Sequence, residues 1–140
     1  MKLPHTYPIL LVDTYKIIDN TKITATFTVP EDHPVLEGHF PHVKIWPGVY
    51  LIEGMNQTAG IHALDMAEKQ FETSDLENMV TFVTSVDKVK FRQPVFPGDV
   101  LTYSAVLEKQ KRDHVFYKCG VSNHLQAVAQ ASIGLTAKKL

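Results

Sequence analysis

Acid–base chemistry is concentrated in one part of the chain: Glu37-Gly38-His39-Phe40-Pro41, then Trp46-Pro47-Gly48-Val49, then Glu53-Gly54-Met55-Asn56-Gln57. Histidine is the natural base near neutral pH, since imidazole ordinarily titrates at about 6.5. A glutamic acid can donate a proton there only if its carboxyl is raised from about 4.3, which burial against an apolar face would do. Pro47 suits a first helical turn, so a helix opening at Gly48 leaves the N–H groups of Gly48 and Val49 free beside a partial positive charge. Such donors suit a substrate carbonyl oxygen that turns negative in a transition state. Glu53 and Gln57 are four residues apart and share a helix face, where the amide could hold the carboxyl in position. Base His39, acid Glu53 and carbonyl polariser Gly48 together suit removal of a proton next to a carbonyl with loss of a β-leaving group. The plainer alternative is a solvated helix carboxylate and a loop histidine with local hydrogen bonds.

The elements that must position these groups follow from periodicity. Ile9 to Ile18 is rich in Ile, Leu, Val and Tyr and reads as a strand; Lys22 to Val29 alternates more clearly. Pro30, Pro34, Pro41 and Pro47, with Gly38 and Gly48, forbid a regular element between them and mark a long loop, which Val35, Leu36, Phe40, Ile45 and Trp46 should pack down. Loops of that length in a compact fold are usually functional or disordered. A helix is expected from about Gly48 to Phe71, with Leu51, Ile52, Met55, Ala59, Ala63 and Met66 as its apolar stripe and an acidic later part through Glu72, Asp75 and Glu77. Strands then follow at Met79 to Val86, Val89 to Val95, Val100 to Leu107, Val115 to Val121 and Ala127 to Ala137, with a turn at Pro97-Gly98-Asp99. Strands around one helix indicate an α+β fold, an antiparallel sheet covering a single helix. No repeat or linker divides residues 1–140, so one domain is expected.

Composition narrows the function classes. Fourteen Lys and Arg against fifteen Asp and Glu give a formal charge of −1, which offers no support for nucleic-acid binding. One cysteine, Cys119, makes neither an internal disulfide nor a multi-cysteine zinc site. The opening Met1-Lys2-Leu3-Pro4-His5 lacks the apolar run of an export signal, and no run approaches the roughly 18 apolar residues of a membrane span, so a cytoplasmic location is expected. Neither phosphate-cradling glycine loop is present, nor a Gly-x-Ser-x-Gly elbow. His33, His39 and His42 beside Glu37 match no metal-ligand spacing; no metal is expected, and His33 and His42 read as solvated loop histidines.

The three stretches above, together with Leu3-Pro4-His5 … Pro8-Ile9-Leu10-Leu11-Val12-Asp13 and Lys90-Phe91-Arg92-Gln93-Pro94-Val95-Phe96-Pro97-Gly98-Asp99, resemble the bacterial (3R)-hydroxyacyl-ACP dehydratases, FabZ-like enzymes of the hotdog fold. The similarity runs over most of the chain in the right order. It implies a long central helix wrapped by an antiparallel sheet, and dehydration of a (3R)-hydroxyacyl thioester to the trans-2-enoyl thioester without a cofactor. His39 matches the family's catalytic histidine and Glu53 its catalytic glutamate. Gly48 matches the glycine whose N–H binds the thioester carbonyl, with Val49 next to it, and Gln57 the glutamine that supports the glutamate. A sister branch that also isomerises the double bond carries aspartate at position 53, so Glu53 favours dehydration alone. The implied partners are acyl carrier protein and a second copy, in a homodimer with shared sites, with a trimer of dimers as a further option. Between Thr84 and Arg112 six Lys or Arg face three Asp or Glu, and Lys88, Lys90 and Arg92 alternate along one strand, a candidate docking patch for an acidic carrier; a plain solvated strand face is the alternative. A hotdog thioesterase, or a non-catalytic acyl-binding subunit of a dehydratase heterodimer, are the rival functions. His42, Trp46 and Asn56 depart from the family's usual residues, so a polyketide, aryl-polyene or other unsaturated chain fits as well as a fatty acyl chain.

Overall fold

In the computed structural model, which describes residues 3–70, 78–124 and 126–139, one antiparallel sheet curls around one helix. The strands are β1 (Thr14–Ile17), β2 (Lys22–Thr28), β3 (Met79–Phe91), β4 (Val100–Lys111), β5 (His114–Asn123) and β6 (Gln126–Lys139), and the helix is α1 (Gly48–Gln70). Their order across the sheet is β1-β2-β4-β5-β6-β3, and every pairing is antiparallel. Period-two patterning supplies the core: Ile23, Ala25 and Phe27 of β2, Leu101, Tyr103 and Ala105 of β4, Val115, Tyr117, Cys119 and Val121 of β5, and Ala131, Ile133 and Leu135 of β6. These side chains close around α1, which is buried continuously from Gly54 to Leu64, far beyond a single stripe. A helix enclosed on all sides must find partners for its polar residues. His62 does so by donating from Nε2 to the Asp19 carbonyl, 3.1 Å away, and meeting the Tyr117 hydroxyl at Nδ1, 2.7 Å away. Gly54 lets Tyr103 reach the helix backbone: a Cβ at Gly54 would lie 2.2 Å from the Tyr103 hydroxyl oxygen.

Several expectations need correction. Ile9 to Asp13 is not strand; only Thr14–Ile17 pairs in the sheet. The apolar Leu11 and Val12 are buried because this segment lies across α1, held there by Gln57 rather than by a neighbouring strand. The strands read as Met79 to Val86 and Val89 to Val95 are one strand, β3, whose register slips between Val83 and Ser85 and again between Asp87 and Lys90. Beyond Phe91 the chain leaves the sheet. The Pro97-Gly98-Asp99 turn is present, with Gly98 at φ 89° and the Phe96 N–H donating to Asp99 Oδ2 at 2.9 Å. The long loop carries a short 3-10 turn at Pro34–Glu37. Phe71 and the acidic Glu72, Asp75 and Glu77 fall outside the described residues.

Candidate active site

The loop before α1 fixes His39. Its Nδ1 lies 2.8 Å from the Ile45 carbonyl, which can only accept, so Nδ1 carries a hydrogen and a neutral ring presents its lone pair at Nε2. The ring stacks on Phe40 with centroids 4.2 Å apart, and the Ile45 N–H returns to the His39 carbonyl at 2.9 Å. Two aromatic packings hold this loop from beneath. Trp46 is buried against Phe27 and Tyr50, and its backbone N–H bonds to the Val95 carbonyl at 2.8 Å. His33 is buried too, correcting its reading as a solvated histidine: Nδ1 accepts from the Val35 N–H at 3.1 Å, Nε2 donates to the Pro8 carbonyl at 2.8 Å, and the ring stands edge-on to Trp46. His42 is exposed.

His39 and the start of α1 open into the same cleft, of about 360 Å³, lined also by Trp46, Phe91, Arg92 and Val95. Gly48 packs close to Phe91: a Cβ there would sit 3.0 Å from that exposed ring, which would have to give way. The first N–H groups of a helix lack intrahelical partners; that of Tyr50 is taken by the Pro47 carbonyl at 3.0 Å. The Val49 side chain is exposed and does not line the cleft, so only its backbone is available to a substrate there. A roomier cavity of about 450 Å³ lies at the other end of α1, among Met66, Met79 and Val115, and contains neither His39 nor Glu53.

Glu53 lies elsewhere. It does not line the cleft that holds His39; its carboxylate is surrounded by Gln57 Nε2 at 3.1 Å, Asn56 Nδ2 at 3.4 Å and His5 Nε2 at 3.3 Å. Burial pushes its pKa up, as the sequence suggests, but hydrogen bonds from His5 and Gln57, the field of His5 and the Asn56 amide outweigh burial and hold it below the usual glutamate value. The expected raised carboxyl is therefore overturned by its donors. Gln57 is more committed than a substrate-binding residue could be. Fully buried, it accepts from the Leu11 N–H at 2.8 Å and donates to the Ile9 carbonyl at 2.6 Å as well as to Glu53. It clamps the N-terminal segment and the carboxylate to one helix face, and no atom of its amide is left for a ligand. Sequence reasoning missed His5, although it stands in the Leu3-Pro4-His5 opening; its contact with Glu53 spans 48 positions and no local pattern signals it.

Lys88, Lys90 and Arg92 are all described, and their side chains do not form one alternating row. Lys88 has φ 52° inside the register slip between Asp87 and Lys90, so strand alternation does not carry across it. Arg92 lies just past β3 and donates from Nη2 to Gln130 Oε1 at 2.9 Å; Gln130 is the register partner of Lys90.

One helix enclosed by one antiparallel sheet is the hotdog fold. Residues 3–132 match the family model for the FabA-like domain, and the chain belongs to that family. It is 38% identical to the 3-hydroxyacyl-[acyl-carrier-protein] dehydratase FabZ of Petrotoga mobilis over 98% of this chain and 93% of that protein. It is 41% identical to the enzyme of the same name from Sinorhizobium medicae over 94% of this chain and 82% of that one. Among solved structures, the dehydratase heterocomplex ApeI:P from Xenorhabdus doucetiae superposes with a TM-score of 0.79 at 18% identity, over 99% of this chain and 89% of that one. A mutant of the fluoroacetyl-CoA-specific thioesterase FlK does so at 0.67 and 13% identity, over 89% and 92%. At such identities these two share the fold, and fold does not choose between dehydration and hydrolysis.

Proposed function

We propose that this chain is a 3-hydroxyacyl-[acyl-carrier-protein] dehydratase that converts (3R)-hydroxyacyl thioesters to trans-2-enoyl thioesters. The observation that carries the proposal is the orientation of His39, whose Nδ1 is occupied by the Ile45 carbonyl while its ring lines the cleft shared with Gly48. In this reading Nε2 takes the C2 proton, the Gly48 N–H steadies the enolate-like oxygen beside Val49, Glu53 protonates the departing C3 hydroxyl, and Gln57 supports Glu53. Only protons move, so no cofactor is required.

His39 and Glu53 do not share a cleft in one chain, which supports a homodimer whose sites each draw on both protomers. The surface for pairing is β3, a long strand on the sheet's edge with Phe82, Val83, Val86 and Phe91 exposed, an edge that a second copy would cover. Arg92 lines the cleft and bonds to Gln130, the register partner of Lys90, and the two form a basic approach for an acidic acyl carrier protein; Lys88 lies across the register slip from them. Among the described residues no helix is long and apolar enough to cross a membrane; we further infer a cytoplasmic location, where the carrier protein would deliver the substrate.

The deciding experiment presents a panel of 3-hydroxyacyl thioesters on carrier protein, fatty, polyketide-like and polyunsaturated, and identifies products by mass. Loss of water is the expected result; release of free acid would replace this reading with a thioesterase.

A further inference from the structure

The acid–base reading leaves the cavity at the far end of α1 without a use. Burial of the helix is continuous only as far as Leu64, and beyond it the side chains become partly exposed. There the tip of the β4–β5 hairpin and the last residues of β6 surround a space of about 450 Å³. Small-molecule sites run from roughly 300 to 1,000 Å³, so the size is sufficient. The body of the cavity is apolar: Ala63 and Ala67, one turn apart on α1, leave the room, and Met66, Met79 and Val115 form walls. Methionine adapts its shape to what it meets, which suits a flexible hydrocarbon chain. The cavity shares no lining residue with the His39 cleft, and the fully buried Met55, Ala59 and Ile61 fill the helix between them. From Glu53 to Ala67 the distance along α1 is about 21 Å.

The mouth is charged. Arg112 and Lys139 both line the cavity and are exposed, and among the described residues neither is ion-paired. The one carboxylate in the lining, Asp113, is engaged by His114, whose Nδ1 lies 3.0 Å from Oδ1. Lys69, itself paired with Asp65 at 3.2 Å, stands in the last turn of α1 against the partial negative charge of the helix end. The cations sit on a fixed frame. Arg112 has φ 59° at the two-residue hairpin tip, a left-handed conformation that glycine or asparagine adopts more easily. The buried Thr136 hydroxyl donates to the Asp113 carbonyl at 2.8 Å, tying that tip to β6 three positions before Lys139.

We propose that this cavity binds a free aliphatic carboxylate of medium length, its alkyl chain among the alanines and methionines and its carboxylate between Arg112 and Lys139. A ligand of that chemistry answers both halves of the site. Burial draws the chain out of water, and the carboxylate accepts charge-assisted bonds from a guanidinium and an ammonium. A neutral chain would leave both cations without a partner, and a cationic one would be repelled. The site is separate from the His39 cleft and does not depend on the dehydratase reading.

The test is calorimetric titration with decanoate, with decanol and decylamine as its neutral and cationic counterparts. Decanoate should saturate at one site per chain and bind about tenfold tighter than decanol, the factor that a charge-assisted bond supplies. Arg112→Asn combined with Lys139→Gln should erase that advantage and leave decanol unchanged; asparagine is chosen because it fits the left-handed backbone. Ala67→Phe, which fills the cavity, should abolish binding of both, with thermal melts to confirm folding. Decanoate displaced by a short 3-hydroxyacyl pantetheine thioester would lie in the His39 cleft, and decylamine binding as tightly as decanoate would remove the role of the cations; either overturns the proposal. So does the absence of saturable binding, the result if another part of the chain or a second copy fills the space. If Ala67→Phe instead shortens the acyl chains that the protein turns over, the cavity receives the substrate's own tail and the free-ligand site is wrong. Wild-type protein that binds decanoate but dehydrates no 3-hydroxyacyl thioester would bring down the dehydratase reading and leave this site standing.

Discussion

Replacing Gln57 by Leu keeps the side chain's bulk and removes all three of its hydrogen bonds. The Leu11 N–H then faces an apolar side chain in a place with no access to water, and an orphaned buried donor costs about 1–3 kcal/mol. The Ile9 carbonyl is part of an exposed residue and can turn to solvent, so little is lost there. The bond to the Glu53 carboxylate, partly exposed, adds about 1 kcal/mol, which brings the whole to about 3 kcal/mol. For a chain of 140 residues the unfolding entropy is about 0.3 kcal/mol/K, so the melting temperature should drop by about 10 °C. Gln57→Glu sharpens the test. It preserves the acceptor for Leu11 but sets a second carboxyl where the amide nitrogen now lies 3.1 Å from Glu53. Like charges raise a carboxyl pKa in the folded state, so stability present at low pH is lost as pH rises through the raised value. Wild-type Glu53 behaves oppositely: its pKa is depressed, so the stability it contributes is present above the unfolded value and lost as pH falls through the folded one. Melts between pH 4 and 8 should therefore show the gap between wild type and Gln57→Glu widening with pH. If Gln57→Leu instead melts with wild type and only raises KM, Gln57 is a substrate contact and the clamp argument is wrong.

His39→Ala or Glu53→Gln should each lower dehydration by about 10² to 10⁴ with folding intact, measured by enoyl product formation; near-full activity in either would remove that residue from the mechanism. Mixing those two variants and letting subunits exchange should restore activity in about a quarter of all sites, because half the dimers are mixed and each mixed dimer has one intact His39–Glu53 pair; continued inactivity after exchange is verified by mass tags would place the pair within one chain. Charge reversal at Lys90 and Arg92 should slow turnover of carrier-bound substrate while sparing a short pantetheine thioester; equal losses on both would show damage to the site. Gly54→Ala should cost about 1–3 kcal/mol in thermal or urea melts, since the fully buried Tyr103 has nowhere to move; an unchanged melt would show that the sheet yields there.

The sequence was readable where one face of an element meets the core and the other meets water. Strands β2, β4 and β5 alternate for that reason, and their positions follow closely from the period. Reading failed where burial has another cause. Leu11 and Val12 are as apolar as any strand, yet they cover a helix, and the backbone partner of Leu11 is a side chain 46 positions away. β3 lies at an edge with apolar groups exposed on it, so its pattern breaks into two apparent strands at the slipped segment around Lys88. At the site, His39, Gly48 and Glu53 were legible as candidates from residue type and helix phase, and the structure puts His39 and Gly48, without Glu53, on one cleft. The company kept by Glu53 was not: His5 comes from a remote segment, and its donated bond helps reverse the pKa direction that burial alone suggests. His33 misled because a proline-rich loop looks solvated until its aromatic packing is seen.

The paired bonds of His62, to Tyr117 on the sheet and to the Asp19 carbonyl beyond β1, restrain rotation of α1 about its own axis in a way that apolar contacts do not. Smooth hydrophobic surfaces tolerate a few degrees of roll, whereas two directional bonds on opposite ring atoms set an angle. Glu53 is nine residues away along the same rigid rod, roughly 13 Å from that anchor. With the helix surface about 5–6 Å from the axis, a roll of about 20° would sweep the carboxylate sideways by about 2 Å. A shift of about 1 Å is enough to cost a reaction roughly a hundredfold. His62, buried and outside the cleft of His39, thus sets the angular tolerance within which Glu53 could act in its proposed role.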